Sequence, residues 1–575
     1  MLKLWRFLRP DRPAVVLVLT FTFLQTMSTL YLPNLMSRIV DSGVLRGDVA
    51  YILRVGALML LVTLLGGAVA VLANWYGAKA TAGFGQRLRT SLFAHVEGFS
   101  LHEFDQVGTS SLIVRTTNDV MQVQQLVNMM LRMMVMAPLT AIGGIILALY
   151  TDARLSPVVI VAIPILGAAI YLVMGRGLGL FRTIQTKVDV LNRVLRENLT
   201  GVRVIRAFHR TDHEVERFAG ANGELTDTSV RVFELMAAMM PLVMLVMNLS
   251  TVVIVWWGGK EVNVGTLQIG QLMAFIQYVL QIMFSVMMVS MMSFMIPRGQ
   301  ASALRINEVL AIRPDITDAA DTRRPDSRRG DLEFRHVTFR YPGAEEAALS
   351  DVSFTARAGE ITAIIGGTGA GKSTLLHLVP RFYDVASGQV CVDGVDVREM
   401  AQAELRRRIG YVPQRAVLFS GSVSANIRYG GDAASDAAVR RAADVAQATE
   451  FVDALPEGFD AEISQGGTNL SGGQKQRLSI ARAVARHADI YLFDDCFSAL
   501  DYRTDAQLRA ALRTEVTGAT VLIVAQRVST VMDADQIVVL DDGQVAGLGT
   551  HRQLLRSCAV YREIVSSQLA PEEIA

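Results

Sequence analysis

The stretch GGTGAGKS, residues 366–373, decides the fold of the second half of this chain, because it matches every position of the pattern G-x-x-x-x-G-K-[ST]. It follows the apolar run Ile361–Ile365 and precedes the helical run Thr374–Leu376. A phosphate-binding loop requires this order of strand, loop and helix, whereas a glycine-rich turn with an incidental lysine does not. The sequence therefore predicts a loop whose main-chain N–H groups face phosphate oxygens at the positive end of a helix dipole.

Two side chains of this loop have expected roles. The Lys372 ammonium would reach the β- and γ-phosphates of a nucleotide, and the Ser373 hydroxyl would hold Mg²⁺. The expected nucleotide-binding residues of the loop are Gly366, Gly367, Thr368, Gly369, Ala370, Gly371, Lys372, Ser373 and Thr374. The predicted cofactors are ATP and Mg²⁺.

Two further motifs follow the loop. Residues 491–496, YLFDDC, form an apolar strand pattern that ends in carboxylates, of which Asp494 is expected to bind the metal. Between this strand and the loop lies LSGGQKQR, residues 470–477, where Ser471 can cap a helix and two glycines leave its first N–H groups open to an anion. Alone, such a run is more often a loop and a helix cap. In this order the three motifs resemble those of the ATP-binding cassette (ABC) ATPases.

The resemblance implies roles for residues outside the loop. Tyr341 matches the aromatic residue on which adenine stacks, and Gln414 matches the glutamine that contacts Mg²⁺ and senses the γ-phosphate. Ser498–Asp501 matches the D-loop, which makes Asp501 a catalytic candidate. In ABC proteins ATP is held between the phosphate loop of one cassette and the signature of the other. The signature residues of this chain are Ser471, Gly472, Gly473 and Gln474.

Two catalytic positions depart from the family pattern. Asp495 stands where these ATPases usually carry the glutamate that polarises the attacking water. Losing one methylene withdraws the carboxylate by up to ~1.5 Å, and a misplacement near 1 Å can cost roughly a hundredfold in rate. Gln526 stands where the family has a switch histidine, and an amide has no accessible charged state. The site is therefore expected to bind ATP better than to hydrolyse it.

A degenerate nucleotide site beside an intact signature favours an obligate heterodimer. In such a pair this chain would lend its signature to the competent site of a second, catalytically complete half-transporter. It would contribute the weak phosphate-loop half of the other site. A slow homodimer is the alternative, since the surroundings of Asp495 could restore the required geometry.

The chain has 575 residues, a formal net charge of +1 and 51% hydrophobic residues, and long uncharged runs fill its first half. This length fits two or more domains. Six runs are near or above the length that crosses a bilayer. The predicted spans are Ala14–Val40, Tyr51–Tyr76, Val127–Tyr150, Leu155–Met174, Leu235–Gly258 and Gln271–Ile296. The first is too long for a removable signal peptide, and Leu2–Leu8 is expected to lie as an amphipathic helix on the inner surface.

The loops between the spans predict the orientation. Those after the second and fourth spans are long and basic, and the other three are short with little net charge. The positive-inside rule then predicts a multi-pass protein of the plasma (inner) membrane with both termini in the cytoplasm. The long loops keep a helical rhythm, so the membrane helices are expected to extend past the bilayer. Two loop segments resemble the coupling regions of type IV ABC exporters, with Phe104 and Phe208 as expected docked anchors. Solvated connecting helix is the alternative.

The predicted fold is multidomain, with an all-α six-helix transmembrane domain of the ABC exporter type followed by an α/β ABC ATPase (P-loop NTPase) domain with a helical subdomain. The predicted boundaries are 1–312 for the transmembrane domain, 313–330 for a solvated linker and 331–575 for the nucleotide-binding domain. Cys391, Cys496 and Cys558 have neither metal nor redox spacing, so reduced thiols are expected.

The predicted spans contain regularly spaced methionines and one arginine of interest. Methionines recur at helical spacing in the fifth and sixth spans, which suits either a cavity for varied lipophilic ligands or simple packing. They are Met236, Met240, Met244 and Met247, then Met283, Met287, Met291 and Met295. Arg132 in the third span could line a pathway or extend to the lipid headgroups.

The predicted function is one half of a heterodimeric ATP-driven exporter that moves a small lipophilic substrate, a drug or a lipid. Its expected partners are the second half-transporter and membrane lipids, without nucleic acid. One alternative is a protein of the exporter fold that imports a chelated nutrient such as a siderophore. Another is a nucleotide-gated membrane regulator. The predicted spans exclude a soluble ABC ATPase of DNA maintenance.

Overall fold

The structure is a computed structural model that describes residues 2–325, 328–431 and 434–569. Two compact units divide the chain. The first contains the residues up to Glu97 and Thr109–Ile312, and the second contains Gly98–Gly108 and the residues from Arg313 onward. The predicted coupling anchor Phe104 therefore belongs to the second unit. The predicted domains and linker also contain positions 1, 326, 327, 432, 433 and 570–575, which lie outside the described residues.

The N-terminal half is helical. The α-helices are α1 (Arg12–Arg38), α2 (Val49–Glu97), α3 (Leu101–Val107, in the second unit), α4 (Thr109–Val114), α5 (Val120–Thr151), α6 (Ser156–Ala207), α7 (Thr211–Asn263) and α8 (Ile269–Ala311). A 3-10 helix, Leu2–Asp11, precedes α1, and π-helical turns lie at Ile39–Val44 and Arg115–Asp119. Pro13 and Pro157 lie in the first turns of α1 and α6, where the missing N–H removes no helical hydrogen bond.

The predicted six membrane helices are confirmed. In the described part of the chain, six helical stretches are long and apolar enough to cross a membrane. Helices α6 and α7 have 52 and 53 residues, which at 1.5 Å per residue makes each about 80 Å long. This length is more than twice the ~30 Å hydrocarbon core of a bilayer, so the helices continue beyond it as expected. Within the unit, α1 packs along α2, α5 along α8 and α6 along α7.

A buried carboxylate ties α8 to the start of α5. Asp119 is fully buried, and its Oδ2 accepts a hydrogen bond from Arg305 Nε at 2.8 Å. Its Oδ1 accepts one from Ser302 Oγ at 2.8 Å. Because both carboxylate oxygens have partners, the buried charge is compensated and the two helices are fixed against each other.

The second unit is built on β-sheets. Its strands are β1 (Leu332–Phe339), β2 (Leu349–Ala356), β3 (Ile361–Gly366), β4 (Ser387–Val392), β5 (Val395–Asp396), β6 (Ile409–Val412), β7 (Gly421–Ser422), β8 (Glu462–Ile463), β9 (Ile490–Asp494), β10 (Thr520–Val524), β11 (Gln536–Asp541) and β12 (Gln544–Gly549). The central sheet has the order β12-β11-β3-β10-β9-β6, and β12 alone in this sheet runs antiparallel to its neighbour. A second sheet, β2-β1-β4-β5, is antiparallel.

The strand order positions the site. The carboxyl ends of β3, β9 and β10 lie side by side, because Val524 pairs with both Ile364 and Asp494. In parallel α/β sheets ligands bind at this edge. The strands are almost continuously buried and apolar, as expected where helices cover both faces.

Helices cover the sheet and form a subdomain. They are α9 (Lys372–Leu378), α10 (Gln402–Arg407), α11 (Val423–Arg428), α12 (Asp436–Val445), α13 (Thr449–Asp453), α14 (Gly472–Val484), α15 (Tyr502–Glu515), α16 (Val528–Val531), α17 (His551–Ser557) and α18 (Ala559–Ser566). Helix α14 packs against α11 and α12, which with α13 form the helical subdomain. The predicted fold class, six membrane helices followed by an α/β domain with a helical subdomain, is confirmed.

The segment expected to be a solvated linker makes hydrogen bonds to the second unit. The main-chain N–H of Arg323 donates to Glu399 O at 2.8 Å. Asp318 Oδ1 accepts from the main-chain N–H of Gln402 at 3.0 Å. At these points the segment follows the surface of the domain instead of extending freely into solvent.

Candidate active site

The phosphate-binding loop joins β3 to α9. Gly369 and Gly371 have φ angles of +88° and +90°, which glycine adopts far more readily than other residues. A Cβ at Gly371 would lie 2.7 Å from Ala348 O, whereas one at Gly367 or Gly369 would meet nothing within 4 Å. The loop conformation therefore requires glycine at 371 and leaves its main chain open to a ligand at 367 and 369.

A cleft of about 300 Å³ lies at the carboxyl edge of the sheet. It is lined by Tyr341, Ala348, Thr368, Gly369, Gly371, Lys372, Ser373, Thr374, Gln414, Asp494, Asp495, Val524 and Gln526. The structure thus brings together most of the residues that the sequence singled out.

Three charged or polar side chains line the cleft beside the phosphate-binding loop. Ser373 Oγ donates to Asp494 Oδ1 at 2.9 Å, and Lys372 Nζ donates to the carbonyl oxygens of Gly366 and Gly367 at 2.9 and 2.6 Å. Burial lowers the pKa of Lys372, an effect that the neighbouring carboxylates oppose. Burial raises the pKa of Asp494 above its usual range, and the Ser373 hydrogen bond partly offsets this rise.

Asp495 has a strained backbone and little exposure. Its φ is +45°, in the left-handed region that asparagine and aspartate tolerate better than other non-glycine residues. Its main-chain N–H donates to Val524 O at 3.0 Å, and its carbonyl accepts from Ser498 Oγ at 2.9 Å. Only 8% of the residue is exposed, and burial raises the pKa of the carboxyl. The main chain therefore fixes where this short carboxylate can reach.

The two unusual residues of the site contact each other. Gln526 Nε2 donates to Asp495 Oδ2 at 2.8 Å, and Gln414 Nε2 donates to the same oxygen at 3.3 Å. A carboxylate oxygen has two lone pairs, so these two amides occupy Oδ2 completely. Hydrogen bonds to a charged group are worth about 1.5–3 kcal/mol each. Asp495 and Gln526 are thus linked by a hydrogen bond, which their separate sequence motifs did not reveal.

Tyr341 is connected to the loop helix and to a second tyrosine. Its hydroxyl lies 2.9 Å from Thr374 Oγ1, and its ring lies edge-on to the ring of Tyr383 at 5.4 Å. Burial, together with the charge and hydrogen bond of Asp105, raises the pKa of Tyr383 to about 12. A contact chain therefore runs from α3 through Tyr383 to the expected adenine-stacking residue. The sequence analysis missed it, because Asp105 is far from Tyr383 along the chain.

The signature and the D-loop residue lie outside this cleft. Ser471 Oγ accepts from Gln474 N–H at 3.3 Å and Gln474 Oε1 accepts from Ser471 N–H at 2.8 Å, a reciprocal cap at the start of α14. Asp501 caps α15 by accepting from Thr504 N–H at 2.9 Å. A Cβ at Gly472 would meet nothing within 4 Å. Ser471 and Gly472 are therefore exposed, and the helix that follows them is capped.

The residues present fit Mg-ATP. The open main chain of the loop, the Lys372 amine and the ring of Tyr341 suit phosphates and a base. The paired Ser373 and Asp494 oxygens are ligands of the type that Mg²⁺ prefers. Among the described residues no group of three or more His, Cys, Asp or Glu could hold a metal. Mg²⁺ typically uses one or two carboxylates together with substrate phosphates.

The two expected coupling anchors differ in their surroundings. Phe104 on α3 is half-buried and packs edge-on against Phe99 at 6.1 Å. Phe208, where α6 ends, has 74% of its surface exposed. Their docking roles stay predictions, and Phe208 keeps a free aromatic surface.

Comparison with protein families identifies both halves. The model described as the ABC transporter transmembrane region matches residues 15–286, and the one described as ABC transporter matches residues 349–498. A bacterial Atm1-family ABC exporter with ATP bound superposes with a TM-score of 0.80 at 27% identity, over 97% of this chain and 98% of that structure.

Curated relatives cover the chain almost completely. An uncharacterized ABC transporter ATP-binding protein of Mycobacterium tuberculosis is 43% identical over 98% of this chain and 97% of its own length. YfiB of Bacillus subtilis, with the same description, is 40% identical over 100% and 99%. An ATP-dependent lipid A-core flippase of Syntrophus aciditrophicus is 32% identical over 88% and 83%.

Proposed function

From the premise that this chain belongs to the ABC transporter family, as a half-transporter of the exporter type with ATPase and translocase activity, we propose that it forms one half of a heterodimer with two unequal nucleotide sites. Its own phosphate loop holds Mg-ATP with little hydrolysis. Its signature completes the competent site of a second, different half-transporter.

The hydrogen bonds at Asp495 are the observation that carries this proposal. A general base must present a free lone pair to the attacking water. In this chain the two amides of Gln414 and Gln526 occupy one carboxylate oxygen, and the short side chain sets the other back by up to ~1.5 Å relative to glutamate. The neutral Gln526 also supplies no positive charge beside a γ-phosphate. The groups that hold a nucleotide remain, so binding is retained while water activation is lost.

The signature supports the unequal pair. Its cap is formed and Gly472 faces open space, so this chain offers an intact anion-binding helix start to another cassette. Two copies of this chain would combine two good signatures with two poor phosphate-loop sites. A different partner with glutamate and histidine at the positions that correspond to Asp495 and Gln526 would provide one working site.

The transported compound is proposed to be lipophilic. Lipid A-core flippases are among the relatives of this chain, which supports a lipid or another amphiphile as the substrate. Basic long loops support a topology in which both termini and the cassette lie in the cytoplasm.

The experiment that tests the proposal compares the chain alone with the chain co-expressed with a second half, encoded for example by an adjacent gene. ATP turnover per nucleotide site is measured for both preparations, and Lys372→Ala in the chain alone sets the background for that preparation. Turnover should be feeble for the chain alone and robust for the pair. Comparable turnover per site by a purified homodimer would contradict the heterodimer.

A further inference from the structure

A second cavity lies within the helical unit, between α1, α5 and α8. Its volume is about 430 Å³, within the range of sites that hold drug-sized ligands. It is lined by Thr22, Gln25, Gln125, Asn128, Met129, Arg132, Met133, Met136, Met288 and Met295. No residue of the nucleotide site takes part.

The only charged side chain among these lining residues is Arg132. Among the described residues no carboxylate lies within ion-pair distance of its guanidinium. Its stem packs beside α2, since a Cβ at Gly77 would lie 3.7 Å from Arg132 Cδ. A guanidinium on a membrane helix is costly to leave unpaired, and such residues usually face a cavity or a pathway.

The other residues that line the cavity include both polar amides and apolar methionines. Gln25, Gln125 and Asn128 bring neutral amide donors to the lining, and five methionines supply a flexible apolar surface. Of these five methionines, Met288 and Met295 belong to the sixth span, and none of the lining residues belongs to the fifth. Met283 is buried in the helical core, while Met240 and Met244 face outward with 57% and 59% exposure. Packing therefore accounts for Met283, whereas Met295 lines the cavity together with methionines of the third span.

We propose that this cavity binds an anionic amphiphile, whose negatively charged group pairs with Arg132 while its hydrocarbon chain lies against the methionines. The charge of the occupant follows from the unpaired guanidinium, because an anion would supply the missing partner and the amides would donate additional hydrogen bonds. Its apolar part follows from the thioether lining, which accommodates chains of varied shape. This inference rests on the proposed function, since it names the substrate class of the lipophilic compound that the exporter moves.

A binding experiment without ATP tests the inference. The full-length chain, purified with its partner half and placed in phosphatidylcholine nanodiscs, is titrated with tritiated dodecyl phosphate in a scintillation proximity assay. Dodecyltrimethylammonium and dodecyl glucoside serve as cationic and neutral competitors of equal chain length. The anionic probe should bind, and unlabelled dodecyl phosphate should displace it far better than either competitor. Equal displacement by the cationic competitor would overturn the proposal.

Variants assign the binding to the cavity. Arg132→Gln should weaken dodecyl phosphate binding roughly tenfold or more, because a charge-assisted hydrogen bond is lost. Arg132→Lys should retain most of the affinity. Arg176→Gln is the matched control, because Arg176 is an exposed arginine on α6 that does not line the cavity, and it should change nothing. Unchanged affinity in Arg132→Gln would refute the site.

A second variant keeps the test decisive if Arg132→Gln folds poorly. Asn128→Leu removes a donor at similar volume and should weaken binding about fivefold, the value of one neutral hydrogen bond. Dodecyl phosphate binding that is unaffected by this change would also contradict the site.

Two sources of the anionic group are distinguished in the same assay. If nanodiscs that contain phosphatidylglycerol displace the probe, the occupant is a membrane lipid. If they do not, while the probe still binds through Arg132, the occupant is a free lipophilic anion. Because no ATP is used, loss of probe binding would overturn this inference and leave the unequal nucleotide sites untouched. Equal ATP turnover at both nucleotide sites would overturn the unequal pair and leave the inference about the cavity untouched.

Discussion

Restoring glutamate and histidine in this chain should turn its nucleotide site into a hydrolytic one. The change is the double substitution Asp495→Glu and Gln526→His. Glutamate extends the carboxylate by up to ~1.5 Å, which removes a misplacement of the size that costs roughly a hundredfold. Histidine replaces the amide that now donates to Asp495 Oδ2 at 2.8 Å. Hydrolysis at this site should therefore rise by on the order of a hundredfold.

The single change Asp495→Glu should restore much less. A longer side chain on the same backbone would approach Gln526 Nε2 more closely than a hydrogen bond allows, so the glutamate must bend away from the phosphate side. The φ of +45° adds a cost of about 1 kcal/mol, because glutamate tolerates this region less well than aspartate. The two positions should therefore show strong non-additivity, as expected for residues in direct contact.

The assay measures ATP turnover in the complex after the phosphate-loop lysine of the partner half has been changed to alanine, so that only the site built on Lys372 can hydrolyse. Adding Lys372→Ala to the double variant should return turnover to background. A double variant no faster than the unaltered chain would refute the argument that Asp495 and Gln526 limit hydrolysis.

The remaining predictions concern other residues of the nucleotide-binding domain. Gly472→Val should lower turnover of the complex by roughly a hundredfold without affecting its own fold, since a Cβ there meets nothing within 4 Å; an unchanged rate would mean that the signature does not serve the partner site. Lys372→Ala should slow transport and loosen the pair, seen as weaker co-purification, without eliminating hydrolysis; complete loss of turnover would contradict the clamp role of this site. Tyr383→Phe removes the hydroxyl that meets Asp105 and should lower transport per ATP hydrolysed while ATP affinity stays constant; an unaltered ratio would show that this contact carries no coupling. Because burial raises the pKa of Asp494 and Mg²⁺ requires its ionised form, Mg²⁺ affinity measured by calorimetry should fall as the pH falls toward that raised pKa and stay constant above it; weaker affinity at higher pH would contradict the sign.

The sequence predicted the parts of this protein that local pattern determines. The loop at 366–373 and the carboxylate Asp494 stand at adjacent strand ends because a parallel sheet brings them there, and the motif order already implied it. The hydrogen bond between Asp495 and Gln526 depends on the register of β9 and β10 and on one φ angle, which no motif specifies.

Long-range contacts and side-chain directions were the least predictable features. Asp105 reaches Tyr383 only because the segment Gly98–Gly108, which holds Asp105, belongs to the second unit despite its distance along the chain. Helical spacing placed methionines on a common face of the fifth and sixth spans, but spacing alone does not tell whether that face meets a cavity, a neighbouring helix or lipid. Only the packing of the helices shows that Met283 lies in the core and that Arg132 lines a cavity.

The most direct test of the central claim identifies the nucleotide held at each site of the complex during turnover. Nucleotide is trapped rapidly, and photo-crosslinking of an azido-adenine analogue to Tyr341, followed by peptide mapping, separates the site of this chain from that of its partner. The account predicts mostly ATP at the site built on Lys372, exchanging slowly, and ADP accumulating at the other. Mostly ADP at the Lys372 site, exchanging as fast as at the partner site, would contradict it.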